Sequence, residues 1–310
     1  MKKTIYAGTY TGKGSEGIYR FNWEEGKLSD SGLFCRIDNP KYLCVCGKDI
    51  AAVCDFEQGS GVALIGEDGR IKDSLVFEDV TSCYIAYHEG RLYTANYHAG
   101  TFSVLNVNKD HLELIKTVEI RKKAGCHQVL FWKDLILIPC LFLDKVMIYD
   151  KNLDYKNEIV FPQGIGPRHG IFSKDGKYLY LVSELSNELF VIWTDSFRIK
   201  GCTGLLENGE RNTEGTAAIR MSEDGKHLYV STRGKDLISV LSTEDEKVEL
   251  IQTVSCKGEH PRDFILIDDA LLCANRLSNQ AVSFRIGKDG KLEEEIDRID
   301  VPDSICLIEI

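Results

Sequence analysis

His169–Trp193 reads HGIFSKDGKYLYLVSELSNELFVIW, and Ala217–Leu241 reads AAIRMSEDGKHLYVSTRGKDLISVL. Laid over one another, the two stretches give one unit: an apolar segment, a turn of the form xDG, a segment reading KxLY, a polar turn, and an alternating run of Val, Ile, Phe and Leu. Alternation with period two marks half-buried strands, and Asp-Gly is a tight-turn dipeptide. Degenerate copies begin at Ser82 and Arg262, weaker ones near Asn39 and Gly125. Unit starts near Asn39, Val80, Gly125, Gly166, Thr216, His260 and Pro302 lie 41, 45, 41, 50, 44 and 42 residues apart. Four short strands repeated at that period predict an all-β, seven-bladed β-propeller, with antiparallel strands A to D running outward from the axis. The seventh unit has only DSICLIEI after Pro302, whereas residues 4–37 carry TIYAGTYT, GIYRFNW and KLSDSGLFCRI, the missing B, C and D strands. A last blade shared by the N- and C-terminal strands closes the ring without a free sheet edge. Residues 1–310 are therefore expected to form a single domain. The Gly-His and Trp-Asp marks of WD40 blades are absent, and Trp23, Trp132 and Trp193 share no repeat position, which argues against a generic protein-docking ring.

The formal charge is −10, 43% of the 310 residues are apolar and 28% are charged. Such a chain can bury a sizeable core, and it lacks the cationic excess that binding to nucleic acid or an anionic membrane requires. Eleven cysteines, an odd number set mostly in apolar stretches, read as buried thiols and not as a disulfide framework. No CxxC pair occurs, and Cys44 and Cys46 have no His at ligand spacing, so neither a metal nor a cofactor is expected. The Gly-rich pieces at Gly59–Gly61 and Gly8–Gly14 lack the following helix that a phosphate-cradling loop needs. The N-terminal MKKTIYAGTYTGKG has no apolar core, and the longest nearly apolar run, Leu135–Leu143, is broken by Pro139. Both point to a cytoplasmic chain without a membrane span.

In a four-stranded meander, strand direction reverses at every step. The connection from strand D of one blade to strand A of the next therefore lies on the same face as the B-to-C turn. The D-to-A connections carry His127, Arg168, His169 and Arg262; the B-to-C turns carry Asn96, His98, Glu184, Arg233 and Arg276. Several cations converging at one channel mouth of an acidic protein suit a small anion. Alternatives stand beside this reading: His127 could fill a crowded axis, Glu184 could pair with an Arg to hold it rigid, and any single Arg could be solvated. Alternation along strand A turns His169 toward the blade interface if Arg168 faces the channel, which makes His169 structural. His88, His111 and His227 fall at turns of the opposite face or on outer strands and are expected to be solvated.

GTYT and GIYRF near the start, then NPKYL, LYTANYHAGTFSV, GCHQV, GIGPRHGIFSKDGKYLYLVSEL, DGKHLYVSTRG and HPRDF follow in order over nearly the whole chain. This series resembles the propeller-type lactonase family, which includes bacterial 6-phosphogluconolactonases of the seven-bladed kind and fungal carboxymuconate-lactonizing enzymes. The resemblance implies a metal-independent catalytic site of one His, two Arg and one Glu, which fall here on His127, Arg168, Arg233 and Glu184. Arg262, Arg276, Asn96 and His98 are candidate substrate-binding residues. The chain departs from family members with a DLG-like stretch after HQV, carrying PCLFLDKV from Pro139, and reads STRG where SNRG is common.

Hydrolysis of a sugar lactone needs an activated water, donors for the tetrahedral oxyanion and an anchor for the anionic end. Glu184 among arginines should be held ionised and be a feeble base, while the same field keeps His127 neutral. His127 is accordingly taken as base, Glu184 as the group that orients an Arg or the His, and the two arginines as oxyanion and anion binders. The expected reaction is hydrolysis of 6-phosphogluconolactone to 6-phosphogluconate, a step of the pentose phosphate pathway in carbohydrate metabolism. The other readings are a cycloisomerase or lactonase for a carboxylated lactone, and a non-catalytic anion-binding propeller. The expected partner is a small anionic sugar lactone.

Overall fold

Apolar alternation becomes strand in every repeat. The computed structural model describes residues 2–12, 14–206, 215–244 and 246–310. Among these the chain forms twenty-eight strands, β1 to β28 in chain order, in seven four-stranded antiparallel sheets. The innermost strands are β4 (Asp38–Cys46), β8 (Tyr84–His88), β12 (Leu130–Trp132), β16 (Pro167–Phe172), β20 (Thr216–Met221), β24 (Pro261–Ile267) and β28 (Ser304–Glu309). We number the blades 1 to 7 in that order. The A-to-B turns repeat their chemistry: Ser173 Oγ donates to Asp175 Oδ1 at 2.8 Å and Ser222 Oγ to Asp224 Oδ1 at 2.6 Å. Gly176 and Gly225 follow with φ of 71° and 73°, a left-handed backbone that glycine adopts without a Cβ clash.

No blade has a core of its own. The buried apolar side chains fall into seven clusters, each between neighbouring sheets. Leu137 and Ile148 of blade 3 meet Leu181 and Phe190 of blade 4, and Ile5 and Trp23 of blade 7 meet Leu272 and Ala281 of blade 6. The ring must therefore close, and it closes as the sequence requires: blade 7 runs β28, β1 (Lys3–Thr9), β2 (Gly17–Glu24) and β3 (Lys27–Arg36), with Ala7 paired to Leu307 on one side and Tyr19 on the other.

The inner strands are not regular where they begin. Pro167 faces Ser183 but His169 faces Val182, so two steps along β16 match one on its neighbour. The same shift occurs between Pro261 and Asp263 and around Ile305, and between Asp38 and Tyr42 four steps match two. Such bulges re-aim side chains. In blade 3 the inner strand is broken outright: an isolated bridge joins Cys126 to Cys140, and β12 starts only at Leu130.

Deleting residues 302–310 should leave strand β1 and the inner edges of blades 6 and 1 without partners, and the expected outcome is insoluble protein. A soluble truncate with a single sharp thermal transition would show that closure is dispensable.

Candidate active site

Starts of inner strands and B-to-C turns converge on one face, around a cavity of about 250 Å³. His127 enters from blade 3, Glu184 from the turn of blade 4, Arg233 from that of blade 5, and Arg262 from the bulge of blade 6. Arg168, only 2% exposed, lies deeper, lining the inward continuation of the cavity with His127, His169 and Arg262. Glu184 Oε2 accepts from Arg168 Nε at 2.7 Å and lies 2.9 Å from an Arg233 terminal nitrogen. Main-chain carbonyls take up further donors: Arg168 Nη1 donates to the Ala217 carbonyl, and Arg233 Nε to that of Gly215 at 3.1 Å. Gly215 has no room for a side chain, since a Cβ there would lie 1.7 Å from the Glu184 carbonyl oxygen. The tight approach is what lets one carboxylate serve two guanidiniums from adjacent blades.

His169 is the correction to the strand-alternation reading. It does not turn to the blade interface. The bulge at Arg168 resets the phase, so Arg168 and His169 both point to the axis. His169 Nε2 lies 3.1 Å from His127 Nδ1, the two rings meet edge to face, and Tyr42 and Tyr84 hold the His169 ring from the other side. Gln128, which the sequence reading passed over, fixes the spacing. Its amide donates to the Gly170 carbonyl at 3.3 Å and accepts from the Gly170 N–H at 2.7 Å, stitching blade 3 to blade 4 beside the histidines.

Burial pushes the Glu184 carboxyl up, but Arg233, Arg168 and Arg262 outweigh it and hold the group below the usual carboxylate range. Burial pulls Arg233 down to about 9, offset in part by Glu184, which leaves it charged at neutral pH. His127 and His169 are pushed well below the ordinary histidine value by burial and then by Arg168. His260, at the start of blade 6, falls to about 4 through burial and the neighbouring Arg233, Arg262 and Arg276, and its buried Nδ1 has no hydrogen-bond partner among the described residues.

His98 lines the cavity from an exposed position, with its ring against Tyr97. Asn96 does not reach it: fully buried, it donates to Glu78 Oε2 and the Val80 carbonyl and accepts from Ala99 N–H. Arg276 is also off the cavity lining, stacked on the Tyr10 ring at 4.4 Å and paired with Asp303 at 2.7 Å. His111 is exposed beside Asp73, whereas His88 stacks on Phe131 with ring centroids 4.0 Å apart instead of standing in solvent. Lys41, Tyr10 and Tyr97 line the cavity and were missed. A signal for Lys41 was present: Pro40, Pro167 and Pro261 each stand at an inner-strand start and precede a cation, Lys41, Arg168 or Arg262. Proline cannot donate to the ladder and so favours the bulges seen there.

Among the described residues no group of three or more His, Cys, Asp or Glu side chains is placed to hold a metal ion, and no helix is long and apolar enough to cross a membrane. None of the eleven cysteines is in a disulfide, and eight are buried.

A seven-bladed ring with a His, Glu and Arg cluster at one mouth matches the family described as "Lactonase, 7-bladed beta-propeller" over residues 4–309, and the chain belongs to that family. It is 29% identical to a 6-phosphogluconolactonase of Bacillus subtilis, the match covering 99% of this chain and 98% of the relative. A solved structure from Lactobacillus plantarum superposes over the full length of both chains with a TM-score of 0.94 at 29% identity. The periplasmic gluconolactonase of Pseudomonas aeruginosa shares the fold over 100% of this chain and 99% of its own, with a TM-score of 0.89 at 22% identity.

Three histidines held neutral by burial make stability pH-dependent. Their folded values lie below the unfolded value of 6.5, so stability is complete above that pH and is lost as pH falls below it. Each contributes about 1.4 kcal/mol per pH unit, or about 4 for the three together. Unfolding by denaturant at pH 6.5, 6.0, 5.5 and 5.0 should show this decline, and His260→Asn should reduce its slope by about a third. A free energy flat across that range would mean that the histidines are not held neutral.

Proposed function

We propose that the chain hydrolyses a phosphorylated sugar lactone, 6-phosphogluconolactone, with His127 as general base. The observation that carries this reading is the His127 ring. Its Nδ1 lies 3.1 Å from His169 Nε2, which leaves its own Nε2 uncommitted on a ring that lines the cavity with Arg233, Glu184 and Arg262. With His127 donating from Nδ1 to Nε2 of His169, the Nε2 lone pair is free to take a proton from water. Arg233 supplies donors for the tetrahedral oxyanion, and Arg168, enclosed by Glu184 and the Ala217 carbonyl, keeps Glu184 in place. Glu184, ionised between two guanidiniums, is a positioning residue and a feeble proton acceptor. Burial first, and then the field of Arg168 and Arg262, weakens His127 as a base, and a bound anion offsets the field.

The named relative in Bacillus subtilis supports the phosphorylated substrate, and with it a place in the pentose phosphate pathway. Cationic crowding at the mouth repels divalent ions, which favours a metal-independent reaction. Residues 1–310 act as a single domain, since the cavity draws on all parts of the ring. The free cysteines suit a reducing, cytoplasmic setting.

The test is hydrolysis of freshly generated 6-phosphogluconolactone, with spontaneous hydrolysis subtracted. His127→Gln should lower kcat by about 10² to 10⁴ while leaving product affinity nearly intact. The acidic limb of the wild-type kcat/KM profile should lie below pH 6.5, since the base is held neutral there. Full turnover in His127→Gln with none in Glu184→Gln would reverse the base assignment. Activity should also survive EDTA; loss with chelator and recovery on adding a divalent ion would overturn the mechanism.

A further inference from the structure

The cations of the cavity are not equally matched. Arg168 and Arg233 share Glu184, and Arg276 has Asp303. Lys41 and Arg262 form no ion pair among the described residues. Both face the cavity, and both flank one ring: Lys41 Nζ lies 5.8 Å and Arg262 Cζ 6.0 Å from the centroid of Tyr10. Tyr10 follows β1 of the closing blade, and the two cations come from the bulged inner strands of the blades on either side of it, 1 and 6. The groups placed to react come from blades 3, 4 and 5, across the ring. The cavity thus has two ends, one carrying His127, Glu184 and Arg233, the other two cations outside any ion pair of the described residues, set about a tyrosine.

We infer that Lys41, Arg262 and Tyr10 form a phosphate subsite that fixes which lactone is accepted and which way round it lies. Resting on the lactonase reading for the reaction, this assigns the substrate's remote end to blades 6, 7 and 1 and its ring carbonyl to blades 3 to 5. A phosphate monoester carries about −1.5 to −2 charges near neutral pH and three acceptor oxygens. Two cations outside ion pairs fit that charge; a carboxylate would neutralise only one. Arg262 opposes the charge of Arg233 across the cavity, so a dianion bound between them relieves that repulsion. Lys41 offers a compact point charge on a flexible stem, Arg262 a planar fork, and Tyr10 a hydroxyl donor, a set that grips a tetrahedral anion from several sides.

The experiment compares kcat/KM for 6-phosphogluconolactone and for gluconolactone in wild type, Lys41→Met, Arg262→Met and Lys41→Arg, with melting temperatures showing that each is folded. Titration calorimetry with 6-phosphogluconate measures binding apart from turnover. Each Met substitution should cut the preference for the phosphorylated lactone by roughly 10- to 100-fold and weaken 6-phosphogluconate binding in parallel, a loss expected for hydrogen bonds between charged groups. Lys41→Arg, which keeps the charge, should retain most of the preference. If the wild type hydrolyses both lactones and the preference is unchanged in Lys41→Met and Arg262→Met, the subsite is refuted and the reaction stands. If neither lactone is hydrolysed but 6-phosphogluconate binds and the Met substitutions weaken it, the reaction is refuted and the subsite stands. A wild type that prefers a carboxylated lactone to the phosphorylated one would overturn the assignment to phosphate.

Discussion

Every sheet of this ring is too thin to bury its own apolar faces, so each depends on its neighbours for a core. From that constraint the rest follows. Seven sheets must meet face to face around a circle, the first strands of all seven must crowd the axis, and the two ends of the chain must share a blade. Crowding at the axis leaves little room for regular pairing, and the inner strands answer with bulges at their starts. The bulges turn Lys41, Arg168, His169 and Arg262 into the channel, where flat strands would have sent alternate residues to the blade interfaces.

Gathering cations at a buried mouth is unfavourable unless something compensates, and Glu184 does so for two of them. One carboxylate oxygen serves guanidiniums from two blades, and main-chain carbonyls take up further N–H groups. Removing one partner from such a buried group typically costs about 3–5 kcal/mol, because the remaining charge is left without compensation. The pair therefore cannot be altered without disturbing the wall of the cavity. Lys41 and Arg262 form no ion pair with Glu184, which leaves both able to close on a ligand.

Much of this was legible in the sequence, for physical reasons. Strand alternation and the SxDG turn recur with the blade period, so the ring, its closure by residues 4–37 and 302–310, and the face bearing His127, Glu184 and Arg233 follow from counting and from the reversal of strand direction. What escaped is register. Parity arguments assume an unbroken pleat, and one extra residue inverts them, which sent His169 to the wrong side. Asn96 shows a different limit: a polar residue in a mouth-side turn can be consumed by local bonds, here to Glu78 and Val80. Gln128 carried no motif at all, and its role emerges only from the neighbouring blade's backbone.

The shared blade also has a consequence during synthesis. β1 leaves the ribosome before every other strand of the ring, yet its inner partner, β28, follows every other blade. Until then the nascent chain carries an unpaired edge and an open arc of half-covered sheets, the kind of surface on which chains stick to one another and to chaperones. Tyr10 waits with that edge, so the end of the cavity between blades 6 and 1 is assembled last. A nascent chain of this kind could not hold its ligand before the ring had closed.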